Sequence, residues 1–275
     1  MGQVTIGLRN GRRAVFEVDL GLDGPAYIVL GVRKSGSTLL NRLAAELARI
    51  NHRKFIDIGD SFFRQNVLAI DWQFDPVLPE ILHPGNVYGG FRDMPFTLLS
   101  SRLFECSPKV LIVRDPRDAL VSEYFSNAYS HPIPEQTAES SDTKVLMERH
   151  RREALKNGPD GYVLERAGEM ARTITEFAAI AKASTTLLLK YEDYIFNKRQ
   201  LICKIAQHFG WTVDESATVD MLRWADIRPE TEDPRAFIRK VTPGDHREKL
   251  QPATIVRLNT VLLRAMRLLD YPTDS

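Results

Sequence analysis

At 275 residues, 43% apolar and 27% charged, the chain has the composition of a water-soluble globular protein and the length for one large α/β domain or two small ones. Its formal net charge is +1, from 37 Lys and Arg against 36 Asp and Glu, which excludes a global field that recruits nucleic acid or an anionic membrane. Any anion site must therefore come from local clusters of charge.

No apolar run approaches the roughly 20 residues that span a bilayer. The first 20 residues carry Arg9, Arg12, Arg13, Glu17 and Asp19 where a signal peptide has an apolar core, and Ile6 stands where a myristoylation motif needs Ser or Thr. Cys106 and Cys203 show no metal-ligand or redox spacing and read as free thiols. A cytoplasmic protein without a membrane span is expected.

In chain order, Val4–Leu8 and Ala14–Val18 alternate around an Asn10-Gly11 turn, so residues 1–24 are predicted to hold an N-terminal hairpin. Tyr27-Ile28-Val29-Leu30 is a short apolar run of the kind buried on both faces of a parallel sheet. A glycine-rich loop, Gly31-Val32-Arg33-Lys34-Ser35-Gly36-Ser37-Thr38, follows directly. Leu39, Leu40, Leu43, Ala44, Leu47 and Ile50 then recur at helical spacing, with Ser37 or Thr38 near the cap. Short helices are predicted at 62–70 and 96–104, separated by a proline-rich stretch from Asp75 to Pro84.

Val110–Val113 predicts a second strand, Arg114–Asp118 a turn, and residues up to Ala128 a helix started by Pro116. Residues 130–161 are polar, hold five prolines or glycines and one charged helical patch near Thr143–Lys156, and read as a mobile substrate lid. A helix over about 165–182, a third strand at Thr186–Tyr191 and a helix stopped by Gly210 follow. The last helix, about 252–269, carries a stripe of Ile255, Leu258, Leu262, Ala265 and Leu269 that packs on the body or, alternatively, seams a homodimer. Strands alternating with helices predict a single α/β domain over 1–275. Its sheet is P-loop-like, doubly wound, mainly parallel and flanked by helices, with the ligand at the carboxyl ends of the strands.

The ordinary phosphate loop reads G-x-x-x-x-G-K-[ST]. Here Ser37 fills the lysine slot, and the basic pair Arg33-Lys34 lies inside the loop. The frame still offers a nest of backbone N–H groups at a helix N-terminus, which favours an anion. Two further basic clusters accompany it: Arg114 just past a strand with Ser122 eight residues on, and Arg239-Lys240 opening the glycine-containing stretch to Asp245. Taken together they predict an anion site with at least two phosphate positions.

On these residues the chain resembles the sulfotransferases that use 3′-phosphoadenosine 5′-phosphosulfate (PAPS), in their cytosolic and bacterial form. Arg33-Lys34-Ser35-Gly36-Ser37-Thr38 is similar to the family's P-K-S-G-[ST]-[ST] loop, with Arg33 for proline. Arg114 and Ser122 match its 3′-phosphate motif, and Tyr191 its adenine-facing tyrosine. The stretch Arg239-Lys240-Val241-Thr242-Pro243-Gly244-Asp245-His246 resembles R-K-G-x-x-G-D-W, with Val241 for Gly and His246 for Trp.

The resemblance implies that Lys34 offsets charge on the bridging oxygen as the S–O bond breaks, with no metal required. The amides of Gly36–Thr38 would hold the 5′-phosphate; Arg114, Ser122 and Arg239 would grip the 3′-phosphate, and Lys240 is a further cofactor-binding residue. The family's K-T-H-x-P base motif aligns with Phe91-Arg92-Asp93-Met94-Pro95, so Asp93 stands in the base position, with His83, Asp60 and His131 as further candidates. The acceptor is expected to be a small molecule or carbohydrate, lined by such aromatics as Trp72, Phe74, Tyr88, Phe91, Tyr124 and Phe125. The alternatives are a small-molecule kinase using ATP–Mg²⁺, in which Asp115 and Thr38 would serve the metal, and a non-catalytic nucleotide-binding protein.

Overall fold

A computed structural model describes residues 2–91, 93–130 and 141–273. In chain order the strands are β1 (Gly2–Gly7), β2 (Arg13–Val18), β3 (Tyr27–Gly31), β4 (Phe55–Asp57), β5 (Val87–Phe91), β6 (Lys109–Val113) and β7 (Thr186–Lys190). The α-helices are α1 (Ser37–Ile50), α2 (Ile58–Arg64), α3 (Ala69–Trp72), α4 (Arg102–Cys106), α5 (Pro116–Phe125), α6 (Ser141–Ala181), α7 (Tyr191–Tyr194), α8 (Lys198–Phe209), α9 (Glu215–Ala225), α10 (Asp245–Lys249) and α11 (Pro252–Leu268). Among the described residues no helix is long and apolar enough to cross a membrane.

β1 and β2 form an antiparallel hairpin in the register Gly2↔Val18 to Gly7↔Arg13. The other five strands form one parallel sheet in the order β4-β5-β3-β6-β7. Its first strand in the chain, β3, is therefore central. The chain winds outward to β4, returns to β5, and crosses to β6 on the far side of β3. That reversal puts the topological switch point at the carboxyl end of β3, where ligands bind in sheets of this kind.

Every residue of β3 and β6 is buried, as their unbroken apolar runs require. Leu40, Leu43, Ala44 and Leu47 of α1 pack with Val29, Val110, Ile112 and Leu189 of the sheet and with Leu201, Ile202 and Ile205 of α8. Each such Leu, Ile or Val side chain contributes ~1.5–3 kcal/mol on burial. α8 ends where Gly210 turns left-handed at φ 68°, and Asn197 caps its start by accepting the Gln200 N–H.

The two strands that the apolar runs do not announce are β4 and β5. β4 has only three residues, and β5 contains Gly89-Gly90, an unpromising pair for a strand. The glycines make a bulge: the β3–β5 register slips between Ile28↔Tyr88 and Leu30↔Phe91. Gly90 lies at φ 81°, and a Cβ there would collide with the Asp57 carboxylate; a Cβ on Gly89 would sit 2.5 Å from Phe55 Cζ. Asp57 also caps α2 by accepting the Asp60 N–H, so that helix begins at Ile58, four residues before the predicted start.

Residues 141–181 are helical apart from Gly158 (φ 62°, ψ 179°), with Pro159 immediately after it. The glycine stops one helix and the proline starts the next, which corrects the expected helix start at 165. The part of the expected lid that the structure describes beyond residue 140 is thus helix, and 131–140 lie outside the described residues.

The chain divides into two compact units: residues 1–113 with 179–226, and residues 114–178 with 227–275. The first carries both sheets. The second is helical, and in it Leu258, Leu262, Ala265 and Leu269 of the C-terminal stripe are buried. Arg117, 1% exposed, ties α5 to α11 through the Asn259 side chain (3.0 Å).

Candidate functional site

The loop after β3 is shaped by two left-handed residues. Lys34 sits at φ 64° and Gly36 at φ 87°, while the Ser35 N–H donates to the Val32 carbonyl and the Val32 N–H to that of Ile112 (both 3.1 Å). At Gly31 a side chain would not fit: its Cβ would lie 2.8 Å from Ser37 Cβ and 2.9 Å from Ile112 Cγ2. Gly36 is the N-cap of α1, whose start has no side-chain cap and no acidic residue in its first turn. The first amides of this 14-residue helix thus remain for an anion, and the helix dipole reinforces them.

Ser35 is fully buried, and its Oγ has no hydrogen-bond partner among the described residues. The Tyr191 ring, at the start of α7, stands 3.1 Å from where a Cβ on Gly36 would be. This part of the expected site is therefore assembled in the first unit: Arg33 and Lys34 half-buried, Ser35 and Gly36 beneath, Ser37 and Thr38 opening α1, and Tyr191 against the loop. Backbone amides and an unpartnered hydroxyl suit an anion.

The second unit holds the other basic cluster. Arg114 is 5% exposed, with Nη2 3.8 Å from Asp118 Oδ2. Ser122 is half-buried two turns into α5. Arg239 bonds both Glu232 and Asp245 and lies 4.0 Å over the Phe125 ring. Lys240 Nζ is 2.6 Å from Glu248 and 3.2 Å from Asp245. Burial by itself lowers the Lys240 pKa, but the hydrogen bonds it donates to Glu248 and Asp245 outweigh it and raise it. Burial likewise pushes Glu232 up, and Lys249 and Arg239 hold it below the usual carboxylate range. Sequence reasoning presented Arg239-Lys240 as two adjacent cations; it missed their carboxylate partners Glu232 and Glu248, which lie 7 and 8 residues away in the chain.

Asp115, the aspartate a kinase would offer to a metal, is committed elsewhere. It caps α5 by accepting the Arg117 N–H (2.9 Å), and its carboxylate takes the Arg117 guanidinium at 3.0 and 2.7 Å.

The base candidates separate by their end of the sheet. Asp93 is half-buried just beyond the carboxyl end of β5, the end at which the loop lies; its neighbour Arg92 is outside the described residues. His83 precedes β5, and its N–H donates to the Tyr88 hydroxyl (2.8 Å). That places His83 at the amino edge of the parallel sheet, about 15 Å of strand away from the loop. Asp60 is exposed and paired with Arg64 at 2.7 Å; His131 lies outside the described residues. Tyr88 is fully buried with its hydroxyl donating to Ile81, and Trp72 stacks on Phe62, so both are core rather than pocket lining.

Among solved structures the chain is similar to a mouse sulfotransferase, SULT7A1, complexed with PAP: 14% identity, TM-score 0.59, covering 90% of this chain and 89% of that one. It is also similar to a retinol dehydratase in complex with androsterone and the inactive cofactor PAP, at 16% identity and TM-score 0.54, covering 90% and 82%. A second structure of retinol dehydratase, with retinol and PAP, matches at 15% identity and TM-score 0.52, covering 94% and 88%. No curated protein matches by sequence. These likenesses share the fold, and the family model for the sulfotransferase domain matches residues 25–270, nearly the whole chain. The chain therefore belongs to the sulfotransferase domain family.

Proposed function

We propose that the protein transfers the sulfuryl group of PAPS to a hydroxyl or amine of a small-molecule or carbohydrate acceptor, releasing adenosine 3′,5′-bisphosphate. The observation that carries this reading is the loop itself: Lys34 is held left-handed two residues before the helix cap, and Ser37 stands where a phosphoryl-transfer loop has its lysine. The structural relatives solved with PAP support the same nucleotide, and the retinol and androsterone in two of them support small-molecule acceptors.

In this reading PAPS supplies a sulfuryl group already activated by a phosphate leaving group. The amides of Gly36, Ser37 and Thr38 hold the 5′-phosphate, and the Lys34 ammonium neutralises charge where the S–O bond breaks. Arg33 and Ser35 complete that loop, and Tyr191 takes the adenine. Arg114, Ser122, Arg239 and Lys240 recognise the 3′-phosphate, which distinguishes this donor from ATP. Asp93 accepts the proton that the acceptor loses. We place the reaction in the cytoplasm: Cys106 and Cys203 are exposed free thiols, the state a reducing compartment maintains.

A thermal-shift comparison tests the reading. Adenosine 3′,5′-bisphosphate should stabilise the protein, and ATP–Mg²⁺ at equal concentration should do so less. Stabilisation by ATP–Mg²⁺ alone would instead point to a kinase.

A further inference from the structure

One carboxylate joins the loop of Arg239 to the helix that follows Arg114. Asp118, in the first turn of α5, is 1% exposed. Its Oδ2 accepts the Gly244 N–H at 2.6 Å; its Oδ1 accepts the His246 N–H at 2.9 Å and stands 2.6 Å from His246 Nδ1. These partners lie 126 and 128 residues away in the chain. Arg114 approaches the same carboxylate from the start of the helix. Asp245, between the two anchored residues, is itself 1% exposed and takes the Arg239 guanidinium. A continuous path of polar contacts therefore runs from Arg114 through Asp118 to residues 244–246 and on to Arg239.

A buried carboxylate that merely filled space would be costly, since burying a charge is repaid only by well-placed donors. Here the donors come from the backbone and ring of one loop, so they fix its position as well as satisfying the charge. Burial alone raises the Asp118 pKa, but the His246 hydrogen bonds and Arg114 hold it down at about 2, so the group stays a carboxylate. His246 is 1% exposed, and its Nε2 has no partner among the described residues. Asp118 is therefore the contact that orients that ring.

We propose that Asp118 is a positioning residue for 3′-phosphate recognition: by holding Gly244 and His246 it sets the place of Arg239 relative to Arg114. The proposal rests on the reading above, in which these two arginines receive the 3′-phosphate. It differs from a general structural role in one measurable respect. Loss of Asp118 should cost binding of a nucleotide that has a 3′-phosphate and spare one that lacks it.

The experiment measures, by calorimetry, the affinities of adenosine 3′,5′-bisphosphate and adenosine 5′-monophosphate for the full chain and its variants. The unaltered protein should prefer the bisphosphate; absence of that preference would remove the underlying reading rather than the role of Asp118. Asp118→Asn replaces one accepting oxygen with a donor that meets another donor. It should weaken the bisphosphate at least tenfold and change the monophosphate less than twofold. Equal losses for the two nucleotides, or an unchanged ratio, would overturn the proposal. Should Asp118→Asn not fold, the same ratio is read from His246→Ala, expected to lose the preference, and His246→Asn, which keeps a donor near Nδ1 and is expected to retain it.

Discussion

Lys34 combines two properties that substitution can separate: a charge assigned to the departing oxygen and a backbone at φ 64° that a side chain resists. Holding a non-glycine residue left-handed costs ~1–2 kcal/mol. Lys34→Ala keeps that strain, whereas Lys34→Gly removes it but frees the unfolded chain by ~0.5–1 kcal/mol. The balance leaves the glycine variant ahead by ~0.5–1 kcal/mol, about 2 °C in Tm for a chain of this size. Both variants lose the ammonium, and removing one preorganised stabiliser of developing charge typically costs about 10²–10³ in kcat. Bisphosphate affinity should change less than tenfold in either, because the loop amides and the 3′-phosphate residues remain. Melting curves and PAPS turnover measured on both variants decide the matter. Turnover within tenfold of the unaltered protein would remove Lys34 from the chemistry, and an alanine variant as stable as the glycine variant would remove the strain argument.

Three further outcomes are expected. Gly90→Ala must adopt φ 81° and displace the Asp57 carboxylate, so it should destabilise the protein by ~2–4 kcal/mol; an unchanged Tm would mean the bulge is not held as described. Lys109 is 2% exposed, and burial pushes its pKa from 10.5 down to about 8, partly opposed by Cys106 and Glu105. Between those values the unfolded chain binds the proton and the folded one does not, so stability should rise with pH. Urea unfolding from pH 8 to 9.5 should show ~1 kcal/mol per pH unit, and Lys109→Met should abolish the slope; equal slopes in both proteins would discount the buried ammonium. Asp93→Asn should lower kcat about 10²–10⁴-fold with nucleotide affinity intact, and a variant of near-normal rate would return the role of base to another group.

The legible parts of the fold were those with a strong local signal. Buried runs such as Val110–Val113, the Asn10-Gly11 hairpin and the Gly210 stop each express a backbone preference within a few residues. β4 and β5 were not legible, because three residues give no periodicity and Gly89-Gly90 are poor strand formers. Their glycines answer to Phe55, Asn41 and Asp57, contacts that only the assembled sheet creates. A Gly-Gly pair next to apolar residues is nonetheless a bulge signal, and it was the one available clue. The site divides in the same way. The loop at 31–38 was read from its glycines and displaced lysine, while the bonds from Asp118 to Gly244 and His246 join residues 126 and 128 apart.

What separates sulfuryl from phosphoryl transfer in this chain is a consistent set of commitments rather than one residue. A kinase needs a lysine after the second loop glycine and a strand-end aspartate for magnesium. Here Ser37 fills the first place. At the second, Asp115 caps α5 and holds Arg117 at 2.7 Å, a pairing that a divalent cation would have to break. The cationic groups are placed differently as well: Lys34 within the loop, Arg114 just past β6, and Arg239 fixed between Glu232 and Asp245. Under the proposed function, a donor with one activated sulfuryl group and a separate 3′-phosphate gives each of these groups a task. A triphosphate needs that lysine and that aspartate; in this chain Ser37 fills the one position and Asp115 is already bound to Arg117.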